Sequence, residues 1–166
     1  MKFMYDYAYL PNDFRLLIDI NSAANSLYNK LKYLNVNSLE ISDYNKRYLG
    51  NYLKNIPRTL QLFSYILSWS VVSNNVPLKE FVFIDYGGGS GILSLLAKEF
   101  GIGTVIYNDI YDVSCKDAMV IGESVEKEAD YYVEGDIDDL FRFLSKNFIS
   151  CNAIASHDEV FTQESK

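Results

Sequence analysis

The fold is decided by residues 81–91, which read Phe-Val-Phe-Ile-Asp-Tyr-Gly-Gly-Gly-Ser-Gly. The stretch opens with an apolar, β-forming run that ends in Asp85, which is typical of a buried strand. Spaced glycines follow, and residues 92–100 then carry apolar side chains at helical spacing. The pattern predicts a strand, a tight glycine turn and a helix. Backbone without Cβ atoms and free amides at the helix start would let a ligand lie against this turn.

The spacing of the glycines separates the ligand classes that such a turn serves. A dinucleotide fingerprint requires G-x-G-x-x-G, but its third glycine position is occupied by Ile92. A phosphate loop is excluded because no Gly-Lys-Ser/Thr follows the glycines. An NAD-dependent oxidoreductase is therefore the least favoured of the three functions considered for this chain.

The pattern that is present, D-x-G-x-G-x-G, resembles motif I of the class I S-adenosylmethionine-dependent methyltransferases. In that family the loop wraps the amino-acid end of the cofactor. The resemblance implies S-adenosyl-L-methionine as the cofactor of this chain. It also implies that the cofactor is bound by the loop residues Asp85, Gly87, Gly88, Gly89 and Gly91.

Strand and helix patterns alternate from residue 81 onward. Strands are expected over 81–86, 103–108, 130–134 and 151–156, with helices over 90–100, 114–127 and 137–147. This alternation predicts an α/β fold with a parallel sheet, and with the resemblance a Rossmann-like methyltransferase core. The likeness covers residues 80–161 and four of the family's seven strands. We expect a core truncated after about the fourth strand; two alternatives are a homodimer through the exposed sheet edge and coverage by the first half.

The first half of the chain shows helical spacing and no strand pattern. Helices are expected from Asp13 to about residue 34, from 42 or 43 to 53, and from Pro57 onward. They predict a helical cap or lid over residues 1–78, before a cofactor-binding domain over 79–166. Tyr44, Tyr48 and Tyr52 lie four apart on one helix face. Core packing is the favoured interpretation of these tyrosines, and a lid over the ligand is the alternative.

Acids at strand ends matter because ligands of parallel sheets bind beyond the carboxyl ends of the strands. Asp109 ends the second predicted strand. The resemblance implies that Asp109 accepts hydrogen bonds from the ribose hydroxyls, with Ile110 beside it in the cofactor site. Asp112 is the alternative acid for this role.

The next two strand ends complete the implied site. Asp136 and Ile137 match the family's positions near the adenine, although acids here also suit the start of a helix. Ser156, His157 and Asp158 fall where the cofactor and the methyl acceptor would meet. His157 is a candidate general base or orienting group, and Asp158 is the second catalytic candidate. The family's acid at the start of this strand is replaced by Asn152, and its following His-Ile pair is absent, so the acceptor stays open.

Composition and charge limit the kinds of partner and ligand that this chain is expected to bind. The 166 residues are 49% hydrophobic and 22% charged, and the formal net charge of −7 argues against a nucleic-acid partner. One modest basic grouping leaves room for an acidic substrate: Lys46, Arg47, Lys54 and Arg58. Two unrelated cysteines and a single histidine argue against a metal site or a disulfide framework. We find no signal peptide and no apolar run that could span a bilayer, so we expect a cytoplasmic protein with no membrane partner.

The resemblance implies that this chain is a methyltransferase, or the cofactor-binding portion of one. The reaction would transfer a methyl group to an oxygen, nitrogen or carbon atom of a small molecule. The alternative is a non-catalytic, methyltransferase-like module that holds an adenosyl ligand or a partner.

Overall fold

The structure, a computed structural model, describes residues 14–156. In this part of the chain six helices and four strands follow one another: α1 (Phe14–Leu31), α2 (Asp43–Lys54), α3 (Ile56–Val72), β1 (Val82–Tyr86), α4 (Ile92–Phe100), β2 (Thr104–Asp109), α5 (Asp112–Ser124), β3 (Tyr131–Glu134), α6 (Ile137–Lys146) and β4 (Ala153–Ser156). The predicted α/β class is confirmed. None of the described helices is both long and apolar enough to cross a lipid bilayer.

Predicted and observed boundaries differ most at α5. Residues 114–127 were expected to be helical, but α5 begins at Asp112 and ends at Ser124. The helix ends early because Glu126 adopts the left-handed conformation, with φ 57°. The amide of Lys127 then donates back to the carbonyl of Gly122. Such a return is a common way to satisfy the last carbonyls of a helix.

The four strands form one sheet in the order β3-β2-β1-β4, and all neighbouring strands are parallel. The chain steps outward from β1 to β2 and β3, then returns to place β4 on the other side of β1. Right-handed connections therefore put α4 and α5 on one face of the sheet and α6 on the other. This arrangement is consistent with a Rossmann-like fold, and it creates a switch point between β1 and β4.

Alternating side chains along the strands supply two apolar clusters. Phe83, Val105 and Tyr107 face the larger cluster, which α1, α3, α4 and α5 cover. Ile84 and Ile106 face the smaller cluster, which α6 covers. The central strands are therefore buried on both faces, as expected for a parallel sheet.

The helices before β1 belong to the same apolar core as the sheet. α1 lies against α4 and α3, and α3 also lies against β4. Polar contacts reinforce the first of these interfaces, because Glu99 of α4 accepts hydrogen bonds from Ser26 and Lys30 of α1. Burial alone would raise the pKa of Glu99, but these bonds and the charge of Lys127 outweigh it and lower that pKa. The domain boundary at residue 78 and the cap or lid role stay predictions.

β4 has one neighbour in the described sheet, β1, and Ile154 on it is 48% exposed. An open edge and a partly uncovered apolar side chain are compatible with pairing to another strand. The homodimer through this edge stays a prediction.

Two glycines offer a test of how tightly the fold is packed. A Cβ on Gly103, just before β2, would overlap the backbone carbonyl oxygen of Lys79, whereas a Cβ on Gly50 in α2 would meet nothing within 4 Å. We expect Gly103→Ala to lower the free energy of unfolding by about 2–3 kcal/mol, because backbone must move to make room. Gly50→Ala should raise it by about 0.5–1 kcal/mol through helix propensity. Urea denaturation of both variants measures the effects, and equal effects of the same sign would contradict this packing.

Candidate functional site

The glycine loop joins β1 to α4 at the carboxyl edge of the sheet. Gly87, Gly89 and Gly91 all have positive φ angles, of 65°, 51° and 75°. A Cβ on Gly89 would meet no atom within 4 Å, so this face of the loop opens outward. Gly88 is needed for a steric reason, because a Cβ at this position would lie 2.6 Å from the ring of Tyr107. The loop thus rests on Tyr107 below and exposes backbone above.

Asp85 lies behind this loop. Its side chain is fully buried, and its Oδ2 accepts hydrogen bonds from the amide of Ser94 at 3.0 Å and from the hydroxyl of Ser94 at 2.7 Å. Ser94 is the third residue of α4, so Asp85 binds one of the amides that a helix start leaves unpaired. In this structure Asp85 secures the loop to the helix, and its predicted contact with a cofactor stays a prediction.

Asp109 joins the end of β2 to the glycine loop. One carboxylate oxygen accepts a hydrogen bond from the amide of Gly89 at 3.1 Å, and the other accepts one from the amide of Tyr111 at 3.0 Å. The side chain is 7% exposed. Sequence reasoning placed Asp109 at a strand end, and the tertiary structure adds that this acid touches the loop itself.

Tyr107 supports the same junction from inside the core. Its hydroxyl donates to the carbonyl of Gly89 at 2.6 Å. Burial, together with the charges of Asp109 and Asp85, raises the pKa of Tyr107 far above its ordinary value. The phenol is therefore neutral at any physiological pH and serves as a fixed hydrogen-bond donor.

Cys115 lies close by in α5 and has no feature of a nucleophile. It is 6% exposed, and burial, followed by the charge of Asp109, raises the pKa of its thiol to about 11. Since the thiolate is the reactive form, this cysteine is inert near neutral pH.

The end of β3 is held to β2 by a buried amide. Asn108 is 1% exposed, and its side-chain nitrogen donates to the carbonyls of Val133 and Gly135 at 2.9 and 3.0 Å. Asp136 follows and caps α6, because its carboxylate accepts from the amides of Asp138 and Asp139.

Asp139 reciprocates by accepting from the amide of Asp136. The pair forms a capping box, and Asp138 adds a further acid to the first turn of α6. The alternative interpretation of this segment was that its acids stabilise the start of a helix. In the structure Asp138 and Asp139 do lie in the first turn of α6. Ile137, the first residue of α6, is 37% exposed. Contacts of Asp136 and Ile137 with an adenine stay predictions.

The switch point between β1 and β4 lies beside the loop. Ser156 pairs with Tyr86 at the ends of the two strands. Its hydroxyl oxygen lies 3.9 Å from where a Cβ of Gly87 would be. The structure therefore brings Ser156, the glycine loop and Asp109 to one edge of the sheet. His157 and Asp158, the catalytic candidates, lie outside the described residues.

Two of the three α2 tyrosines are exposed, although core packing was the favoured interpretation for all three. Tyr52 packs against the larger apolar cluster, but Tyr44 and Tyr48 are 53% and 40% exposed. Core packing is therefore wrong for these two. Their ring centroids are 4.8 Å apart. The inward face of α2 is supplied instead by Asn45 and Leu49, which are buried.

Asp117 of α5 is the residue of this region that sequence reasoning missed. It is 5% exposed and accepts hydrogen bonds from the amide and hydroxyl of Ser42 and from the side chain of Asn45. It thereby anchors the start of α2 on α5. Nothing in the sequence pairs residues 75 positions apart, so this contact had no local signal.

Comparison of the chain with protein-family models, with curated proteins and with solved structures found no match. Within residues 14–156 no group of three or more His, Cys, Asp or Glu side chains is placed to hold a metal ion.

Proposed function

We propose that this chain binds S-adenosyl-L-methionine and transfers its methyl group to a small-molecule acceptor. The observation that carries the proposal is the hydrogen bond between Asp109 and the amide of Gly89. It joins an acid suited to a ribose diol with a glycine loop suited to close backbone approach. Both lie at the carboxyl edge of a parallel sheet, where ligands of such sheets bind.

The residues present fit an adenosyl cofactor. Gly89 offers open backbone, with nothing within 4 Å of its Cβ position. Each oxygen of Asp109 accepts one hydrogen bond from a backbone amide, and a carboxylate oxygen has two lone pairs. The Tyr107 hydroxyl also lies 3.5 Å from Oδ2, but it donates its single hydrogen at 2.6 Å to the carbonyl of Gly89, so one acceptor site on each oxygen remains for the two ribose hydroxyls.

Charge favours this cofactor over a dinucleotide. Asp85 lies behind the glycine loop, and Asp109 lies beside it and accepts hydrogen bonds from the amides of Gly89 and Tyr111. Asp85 also occupies the amide of Ser94, one of the helix-start amides that a pyrophosphate would use. The carboxylate of Asp109 repels a diphosphate but attracts a ligand that carries a sulfonium and an ammonium group. Ile92, 1% exposed in the larger cluster, fills the place of the third fingerprint glycine.

The protein's own contribution would be binding and orientation. When bound, the cofactor supplies a methyl group on a positively charged sulfur, ready for in-line displacement. Asp109 would hold the ribose, and the loop amides would hold the amino-acid end. Ser156 lies at the switch point, where a nucleophile could approach. Proximity and orientation of this kind account for much of the rate enhancement of a two-substrate reaction. His157 is the proposed base.

A non-catalytic adenosyl-binding module is the second candidate. It is favoured by the hydrogen bonds that the two described carboxylates next to the loop already accept. Asp85 bonds to Ser94, and Asp109 bonds to two backbone amides, so both have structural duties. A chain of this kind would bind the cofactor without turnover.

Calorimetric titration with S-adenosylmethionine, S-adenosylhomocysteine and NADH tests the proposal. Micromolar binding of the two adenosyl ligands, with no heat from NADH, is the expected result. Transfer of labelled methyl from the cofactor to a pool of small metabolites would then establish the enzyme. Binding without transfer points to the non-catalytic module, and preferential binding of NADH would overturn both candidates.

A further inference from the structure

Tyr107 is enclosed beneath the glycine loop, and its hydroxyl is aimed at one peptide group of that loop. The side chain is fully buried, and Cβ atoms on Gly88 and Gly91 would lie only 2.6 and 3.6 Å from its ring. The hydroxyl donates to the carbonyl of Gly89 at 2.6 Å. The other acceptor nearby, Oδ2 of Asp109, is 3.5 Å away and too distant to compete for the hydrogen.

This hydrogen bond fixes the direction of the peptide group between Gly89 and Ser90. Gly89 has φ 51° and takes the first central position of a turn, which the amide of Gly91 closes on the carbonyl of Gly88 at 2.8 Å. Turn types that share the same ends differ by a flip of this central peptide group, so a partner for its carbonyl decides between them. A trans peptide group points its C=O and its N–H in opposite directions. Because the carbonyl of Gly89 points at Tyr107, the N–H of Ser90 points away from Tyr107.

The amide of Ser90 differs from the other amides of the turn. Those of Gly88, Gly89 and Gly91 all donate to acceptors in the protein. Within residues 14–156 the amide of Ser90 has no acceptor, although this residue is 2% exposed. Buried N–H groups without a partner are rare in folded proteins, because leaving them unpaired costs free energy. This donor therefore calls for an acceptor that the described chain does not supply.

We propose that Tyr107 is a positioning residue that makes the glycine loop a carboxylate-binding surface. It holds the carbonyl of Gly89 inward and leaves the amide of Ser90 for an oxygen of the ligand. That this carboxylate belongs to the amino-acid end of an adenosyl cofactor rests on the proposed function. The direction of the peptide group does not, since it follows from contacts within the protein.

Tyr107→Phe removes the hydroxyl and keeps the ring that supports the loop. The carbonyl of Gly89 then has no donor inside the core, and a flip of the peptide group would carry it to the ligand side. A ligand carboxylate would meet an acceptor, which repels it, where the amide of Ser90 had been a donor. The loss should therefore fall on the carboxylate and spare the rest of the ligand.

Two ligands that differ by one group measure this loss. S-adenosylhomocysteine carries the carboxylate, and its decarboxylated analogue keeps the adenosine, the sulfur and the amine. In calorimetry on the whole chain, Tyr107→Phe should weaken the first about tenfold and the second less than about twofold. Tyr132→Phe is the matched control. Its ring lies 5.4 Å from that of Tyr107, but its hydroxyl accepts from the amide of Ala129, away from the loop, so both affinities should stay unchanged.

A spectroscopic signature reports the peptide direction without any adenosyl ligand. In amide proton–nitrogen correlation spectra, titration with acetate should move the proton signal of Ser90 downfield in the unmodified chain. The same signal should stay in place in Tyr107→Phe, where the N–H no longer faces the ligand side.

The two measurements separate this inference from the proposed function. Equal weakening of both ligands by Tyr107→Phe would mean that the hydroxyl only supports the fold, and unchanged binding of S-adenosylhomocysteine would mean that it has no role; either result overturns the inference. If neither ligand binds the unmodified chain, the proposed function fails and the acetate titration decides alone. A Ser90 signal that moves only in the unmodified chain then supports the inference, and one that moves in both chains or in neither overturns it.

Discussion

Asp109→Asn is expected to weaken the binding of S-adenosylhomocysteine by about 100-fold, which corresponds to about 2.7 kcal/mol. Two effects combine. The asparagine side chain lacks the negative charge that strengthens the hydrogen bonds to the ribose hydroxyls, each of which contributes about 1.5–3 kcal/mol. Its NH₂ group must also face the amide of Gly89 or of Tyr111, both of which are donors bonded to Asp109. Calorimetry on the folded variant measures the loss.

Two further variants make the result specific. Glu123→Gln removes one negative charge at the far end of α5 and should leave the affinity unchanged. Asp112→Asn tests the alternative ribose acid, whose carboxylate bonds to the exposed Lys116. A larger loss from Asp112→Asn than from Asp109→Asn would move the ribose contact to Asp112. Undiminished binding by a cooperatively folded Asp109→Asn variant would remove the observation on which the proposed function rests.

Asp117→Ala is expected to lower the free energy of unfolding by about 2–4 kcal/mol. The carboxylate is 5% exposed and accepts from the amide and hydroxyl of Ser42 and from the side chain of Asn45. Its removal leaves these donors without a partner at a site that water reaches poorly, which costs more than the bonds themselves contribute. Thermal unfolding followed by circular dichroism should show a melting temperature lower by about 5–15 °C.

A control and a double-mutant cycle isolate this anchor. Asp112→Ala removes an exposed acid from the same helix together with its surface ion pair to Lys116, and it should lower the melting temperature by only about 1–3 °C. Asn45→Ala should cost much less in the Asp117→Ala background than alone, because the two side chains share one hydrogen bond of 2.7 Å. Additive effects, or a melting temperature of Asp117→Ala within 1 °C of the starting value, would contradict the anchoring of α2 by Asp117.

Local patterns were sufficient to predict most of the secondary structure. The run from Phe81 to Gly91 predicted a strand, a glycine turn and a helix, and the structure has β1, the loop and α4 there. The alternation after β1 predicted a parallel sheet, because strands joined by helices return in the same direction. Asp109 was assigned to a strand end for the same reason. These features depend on periodicity and turn chemistry within a few residues, so they can be recognised in a single sequence.

The α2 tyrosines show why spacing was not enough at the site. A stripe four residues apart identifies a helix face, but it does not tell which face the core takes. Tertiary contacts decide that question: Asp117 binds Ser42 and Asn45, and Leu49 packs into the larger apolar cluster. Tyr44 and Tyr48 are left on the surface.

The sequence by itself determined the order of strands and helices, the glycine turn and the acid at the end of β2. The tertiary structure decided what these elements touch: Asp85 on Ser94, Asp109 on Gly89, and Asp117 on the start of α2. The physical reason is the range of the interactions. Backbone preference and hydrophobic period act between near neighbours in the chain, whereas hydrogen bonds of buried carboxylates join residues up to 75 positions apart once packing has excluded water.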